Sequence, residues 1–242
     1  MPVMPEHLVT STGSYGEHAL LVGDPARAEL IAHELLDEAR LVTDARGLRG
    51  YVGTFDGRTV GIQTTGMGGP SAAIVIEELI QLGVRRIVRL GTCGSLSPLV
   101  APGDFLCAAA AIPADGTSQT YVGNEPHAPL ADFEIVHAAV HDAKHAGVKM
   151  RVGLVATTDA YYDPGAGRAA LWAARGALAV DMETAPLLTI APLRNVSAAS
   201  FLICSNRVNE QATRLTAEAQ RATVIACAPV ALGALISEPK NK

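Results

Sequence analysis

The stretch Leu20-Leu21-Val22-Gly23-Asp24-Pro25-Ala26-Arg27 decides the fold. An apolar run stops at a glycine, a proline follows, and Arg27 opens a segment with helical spacing. That is a strand feeding a helix, and the glycine lets backbone N–H groups come close to an anion. A second stretch, Ile87-Val88-Arg89-Leu90-Gly91-Thr92-Cys93-Gly94, repeats the plan. Arginine adds a forked donor that matches phosphate oxygens. The two motifs together predict an anion held between two strand ends.

Outward from these motifs, strand-like runs alternate with helical patterns, which predicts a sheet covered on both faces. Strands are expected over 19–22, 51–55, 59–65, 86–90, 104–111, 152–157 and 198–204. Asp56-Gly57 marks a hairpin turn between the second and third of these. Helices are expected over 25–36, with proline at its start, and over 72–82, 132–146 and 213–235. Gly147 ends the third of these helices, and Pro229 is a point where the last one could break. The segment 113–129 is the least regular. No repeat, low-complexity tract or linker interrupts the chain, so one domain over 1–242 is expected.

The hydrophobic content of 49% is ample for a core, and with aromatics at only 4% that core is built of Ala, Val, Leu and Ile. A formal net charge of −5 argues against a nucleic-acid partner. Cys93, Cys107, Cys204 and Cys227 form no CxxC pair and read as buried reduced thiols of a cytoplasmic protein. The beginning of the chain, Met1-Pro2-Val3-Met4-Pro5-Glu6-His7, has neither a basic region nor an apolar signal core. The longest apolar run, 224–236, contains Pro229 and is too short to span a bilayer, so no membrane association is expected.

Seven motifs then occur in order. They are Gly-Asp-Pro-Ala-Arg (23–27), Arg-Gly-Leu-Arg-Gly (46–50), Thr-Gly-Met-Gly-Gly-Pro-Ser (65–71), Arg-Leu-Gly-Thr-Cys-Gly (89–94), Thr-Asp-Ala-Tyr-Tyr (158–162), Val-Asp-Met-Glu (180–183) and Ser-Asn-Arg (205–207). Together they resemble the nucleoside phosphorylase family that holds the hexameric bacterial purine nucleoside phosphorylases and the uridine phosphorylases. The likeness runs from about His7 to Arg207. It implies an α/β fold of three α/β/α layers around a mixed, partly barrel-like central sheet. It also implies cleavage of a nucleoside by orthophosphate, giving free base and (deoxy)ribose 1-phosphate.

The resemblance places phosphate on Gly23, Arg27, Arg89 and Thr92, with Arg46 reaching in from a neighbouring subunit. Each arginine alone reads as solvated surface. Arg89 departs from that reading because it interrupts an apolar run, where an unpaired charge is costly. Glu183 is placed on the ribose hydroxyls, Met182 against the sugar, and His7 of the adjacent subunit at the 5′-hydroxyl. The transition state of glycosyl transfer is oxocarbenium-like, so a carboxylate there stabilises developing charge. The plain alternative for Glu183 is a helix N-terminal acid favoured by the dipole. Asp181 reads as more peripheral.

Tyr161, Val180, Ser205 and Asn206 are placed at the base. In many purine members an aspartate that protonates N7 occupies the position of Asn206. Asparagine cannot act as a general acid, but its amide can pair with a 6-aminopurine at N7 and the exocyclic amine. Uridine phosphorylases also carry Asn-Arg here, together with a Gln and an Arg in the preceding loop. In this chain that loop supplies Arg168 but no Gln, and Ala166 has no polar side chain for a pyrimidine edge. The expectation is a 6-aminopurine nucleoside phosphorylase, with uridine phosphorylase as the alternative. A nucleosidase of the same fold and a catalytically silent nucleoside-binding protein are further alternatives. No metal or organic cofactor is implied, and orthophosphate is a co-substrate. The implied assembly is a homohexamer, a trimer of dimers sharing His7 and Arg46 across each dimer.

Overall fold

The computed structural model describes residues 5–238 except 12, 164, 166, 209 and 211–213. The segment 1–4, Thr213 at the expected start of the last helix, and Ala166 therefore lie outside the described residues. The chain begins with β1 (His18–Val22), α1 (Pro25–Leu35), β2 (Asp37–Thr43), a 3-10 turn (Ala45–Gly47), β3 (Gly50–Phe55) and β4 (Arg58–Thr64). It continues with α2 (Gly69–Gln81), β5 (Arg86–Ser95), β6 (Phe105–Ala114), α3 (Gly116–Tyr121) and α4 (Phe133–His145). The last third holds β7 (Met150–Thr158), α5 (Arg168–Ala174), β8 (Ala177–Asp181), α6 (Thr184–Leu193), β9 (Ser197–Arg207) and α7 (Ala217–Ile236).

The strands form one mixed sheet in the order β2-β3-β4-β1-β5-β8-β7-β6-β9, and β9 also pairs with β5. That second pairing closes β5, β8, β7, β6 and β9 into a barrel, and β1 to β4 extend from it as an open sheet. The expected partly barrel-like mixed sheet is therefore present.

Alternation along the central strands sorts side chains to two faces. Leu20 and Val22 of β1, with Val88 and Leu90 of β5, pack under α1, α4 and α7. Ala19 and Leu21, with Ile87, pack under α2 and α6. Arg89 follows the parity of Ile87 and so points to the α2/α6 face. Inside the barrel, Cys93, Leu106, Val155, Ala179, Leu202 and Cys204 make a separate cluster of small apolar side chains. The four cysteines are buried and unpaired, as expected.

Three expectations need correction. β5 does not stop near Gly91 but runs on to Ser95, held by β9 through Ser95↔Arg207. The segment 113–129, expected to be irregular, contains α3. The closing helix is not interrupted at Pro229, and its 20 residues are long and apolar enough to cross a membrane by length and composition alone. Its buried residues, from Val224 to Leu235, instead face the core under α4 and β5.

Candidate active site

The site forms where β5 changes partners. On one side β5 pairs with β1 only through Arg86–Arg89, and with β8 only at Gly94 and Ser95. Leu90, Gly91, Thr92 and Cys93 therefore have a ladder partner on the β9 side alone. This opening lies at the carboxyl end of β1, where ligands of open α/β sheets bind.

The first anion motif lies against this opening. Asp24 caps α1, its Oδ1 accepting from the Ala26 N–H at 2.9 Å, and Pro25 occupies the first helical turn. Gly23 allows close approach here, since a Cβ would lie a tight 3.2 Å from the Gly66 carbonyl. Arg27, on the first turn of α1, reaches back and donates from Nη1 to the Leu90 carbonyl at 3.5 Å. Burial lowers the pKa of Arg27, and Arg89 lowers it further, against the pull of Asp24 and Glu183. A second cation and a helix N-terminus at one opening favour an anion there.

Arg89 is 4% exposed and lies over Gly91. It is ion-paired with two buried carboxylates. Nη2 donates to Glu183 Oε2, and Nη1 stands 3.2 Å from Asp181 Oδ2 without hydrogen-bond geometry. Arg89 Nε and Nη1 have no hydrogen-bond partner among the described residues. Buried donors of this kind are costly unless a ligand takes them.

Glu183 ends the turn between β8 and α6, and its Oε1 accepts from the Gly68 N–H at 2.6 Å. That N–H is free because Gly68 is the residue that caps α2, at φ +90°. The Thr-Gly-Met-Gly-Gly-Pro-Ser loop thus holds the carboxylate from one side and Arg89 holds it from the other. Burial raises the Glu183 pKa, Arg89 opposes this, and the Asp181 charge adds to it.

The reading of Asp181 as peripheral is overturned. It is 5% exposed and accepts from Thr157 Oγ1 at 2.7 Å, Thr184 Oγ1 at 2.6 Å and the Thr184 N–H at 3.0 Å. Asp181 therefore fixes the β7 end, the α6 start and Arg89 at once. Alternation carried the signal, since Ala177, Ala179 and Asp181 form the buried face of β8.

At the far end, Asn206, Val180 and Gly94 come together through β5, β8 and β9. A Cβ on Gly94 would meet Val208 Cγ2 at 2.9 Å, Val180 Cγ1 at 3.8 Å and Asn206 Nδ2 at 4.0 Å. Val208 is a neighbour the sequence did not suggest. Ser205 Oγ lies 2.8 Å from Asn206 Oδ1 and 3.1 Å from the Cys93 carbonyl, and Asn206 Nδ2 donates to the Arg207 carbonyl at 2.9 Å. Met182, which follows β8, and Thr92 of β5 are half-buried. Tyr161 is 61% exposed just beyond β7, its hydroxyl accepting from Arg214 at 2.6 Å.

Two predicted residues are not brought to this chain's own site. His7 Nδ1 is 2.7 Å from Glu78 Oε1, and Glu78 also accepts from the His7 and Leu8 N–H groups. Burial raises the Glu78 pKa, but these hydrogen bonds outweigh it and the net shift is downward. Glu78 is ten residues along α2 from Gly68, or about 15 Å at the helical rise. His7 lines a cleft of about 580 Å³ beside α2 and α3. Arg46 is exposed on the 3-10 turn before β3, at φ 57°. Its strand lies two strand spacings, about 10 Å, to the side of β1.

The phosphorylase superfamily model matches residues 17–236, and the chain belongs to that superfamily. Within it the chain is a nucleoside phosphorylase by its relatives. It is 38% identical over 230 residues to a purine nucleoside phosphorylase DeoD-type of Caldanaerobacter subterraneus subsp. tengcongensis, covering 93% of this chain and 97% of that one. A purine nucleoside phosphorylase DeoD-type of Geobacillus kaustophilus is 36% identical over 96% of this chain and 98% of its own length. The crystal structure of uridine phosphorylase from Vibrio fischeri superposes with a TM-score of 0.85 at 27% identity, covering 96% of this chain and 95% of the other.

Proposed function

We propose that this enzyme cleaves purine nucleosides by phosphorolysis, with 6-aminopurine nucleosides preferred. The observation that carries the reading is buried Arg89, whose Nε and Nη1 make no hydrogen bond among the described residues, beside the Glu183 carboxylate. Phosphate bound by Arg89, Arg27, Thr92 and the Gly23 turn would lie under the sugar that Glu183 and Met182 hold. A phosphate oxygen forms a bond to C1′ as the C1′–N bond breaks, and the base leaves with the electron pair and takes a proton from solvent. Glu183 stabilises the positive charge that develops on the sugar in between.

Asn206 would exchange its contacts with Ser205 and the Arg207 carbonyl for N7 and the exocyclic amine of adenine. Tyr161 and Val180 would flank the base. His7 and Arg46, set apart from their own site, would serve the neighbouring subunit in a trimer of dimers. No metal or organic cofactor enters this chemistry. Four reduced cysteines suit the cytoplasm, and the proposed reaction would serve nucleoside salvage.

The likeness to the Vibrio fischeri enzyme favours uridine phosphorylase as a second reading, as does the Asn206-Arg207 pair through the family resemblance. A panel of adenosine, inosine, guanosine, uridine and thymidine, with free base quantified at saturating phosphate, separates the two. Adenosine should give the highest kcat/KM. Uridine far ahead of every purine would replace the purine assignment.

A further inference from the structure

On the exposed surface of α4, away from the site above, two histidines one turn apart face each other. His141 Nε2 and His145 Nε2 are 3.1 Å apart. The i, i+4 spacing puts both rings on one helix face, the arrangement that supplies two metal ligands in zinc-binding helices. Two nitrogens each about 2.0–2.1 Å from one ion stand about 2.9 Å apart at a right angle and about 3.4 Å apart at a tetrahedral angle. The observed separation falls between these values, so the two nitrogens are spaced for one ion once the exposed rings turn toward it.

The neighbouring carboxylate prepares the pair. His141 Nδ1 is 3.2 Å from Asp142 Oδ1. A carboxylate only accepts, so Nδ1 carries the proton and the neutral ring keeps a lone pair on Nε2, toward His145. This is the carboxylate–histidine support that orients imidazole ligands and raises their basicity. Asp142 Oδ2 lies close to α7, where a Cβ on Gly233 would meet it at 2.9 Å. His137, one turn earlier, is stacked on Phe133 with ring centroids 5.9 Å apart.

We propose that His141 and His145 form a surface site for a divalent late transition-metal ion, copper or zinc, with Asp142 as the positioning residue. No group of three His, Cys, Asp or Glu that could hold a metal occurs among the described residues, so water fills the other coordination positions. Copper binds more tightly than zinc, following the general order for nitrogen ligands. On binding, the ion replaces the hydrogen bond between the two rings, and the proton on His145 Nε2 moves to Nδ1 of that exposed ring.

The test uses tag-free full-length protein stripped with chelator and titrated with Cu²⁺, followed by electron paramagnetic resonance, and with Zn²⁺, followed by calorimetry. One ion per chain is expected, with nitrogen hyperfine structure from two imidazoles. His141→Ala is the decisive variant, because it leaves His137 and His145 about 12 Å apart along the helix. It should weaken binding more than tenfold, as should His145→Ala. Asp142→Asn should weaken it by about 10- to 100-fold while both imidazole signals persist. Circular dichroism checks that each variant is folded. Absence of saturable binding, or equal affinity in wild type and His141→Ala, overturns the proposal.

Discussion

The guanidinium of Arg89 occupies the space that a side chain at Gly91 would need: a Cβ there would lie 1.8 Å from Arg89 Nη1. The two residues share one face of β5, and Asp181 and Glu183 hold the guanidinium in place. Gly91→Ala should therefore displace the arginine proposed to bind phosphate without removing its charge. We expect the phosphate KM to rise more than tenfold, the nucleoside KM to change far less, and stability to fall by about 1–3 kcal/mol from overpacking. Unchanged phosphate saturation in the folded variant would remove Arg89 from the phosphate site.

Asp181 should act on stability first. It pairs with Arg89 and joins Thr157 to Thr184 in the interior. Asp181→Ala leaves buried hydroxyls and a buried cation short of a partner, which costs about 3–5 kcal/mol. Urea unfolding measures this directly. A loss below about 0.5 kcal/mol, the range of ordinary surface changes, would return Asp181 to the periphery.

Glu183→Gln should keep the shape and lose the anion opposite the sugar. A kcat loss on the order of 10²–10³ is expected, as for one well-placed electrostatic stabiliser. Burial raises the Glu183 pKa above 4.5, so kcat should fall on the acid side at a pH above that value. The stability effect has the opposite sense. A raised folded pKa contributes stability that is complete below the unfolded pKa and is lost as pH rises through the folded one. The Gln variant should lack that decline in a series of urea melts. Near-wild-type turnover, or an acid limb at or below 4.5, would make Glu183 structural.

On the proposed reading, Asn206 sets the base. Wild type should prefer adenosine over inosine by one bidentate pairing, about 1–3 kcal/mol or roughly 5- to 150-fold in kcat/KM. Asn206→Asp should shift preference toward inosine and guanosine, because the protonated acid donates to N7, and the gain should fade at high pH. An unchanged purine ranking would mean that Asn206 does not face the base.

Much of this was legible in the sequence. Glycine and proline at 23–25 encode a close approach and a helix start, and the structure uses both that way. The site was harder to read where burial hides periodicity. In α6 every residue from Thr184 to Ala191 is buried, so it has no polar face, and Pro186 and Pro192 blunt its helix signal. β8 is five residues of mostly alanine and leucine, with weak strand preference. The extent of β5 past Gly91 was hidden because glycines in a strand read as a turn until the partner strand is known. The role of Asp181 depends on Thr157 and Arg89, which tertiary pairing alone brings to it.

Arg27 and Arg89 are proposed to hold phosphate as the nucleophile. Release of base from adenosine should be followed in phosphate-free buffer and then with added phosphate, and the sugar product identified. The account predicts negligible release without phosphate, saturable release with it, and ribose 1-phosphate as product. Release at the same rate in both buffers, with free ribose as product, would contradict it and make the enzyme a hydrolase.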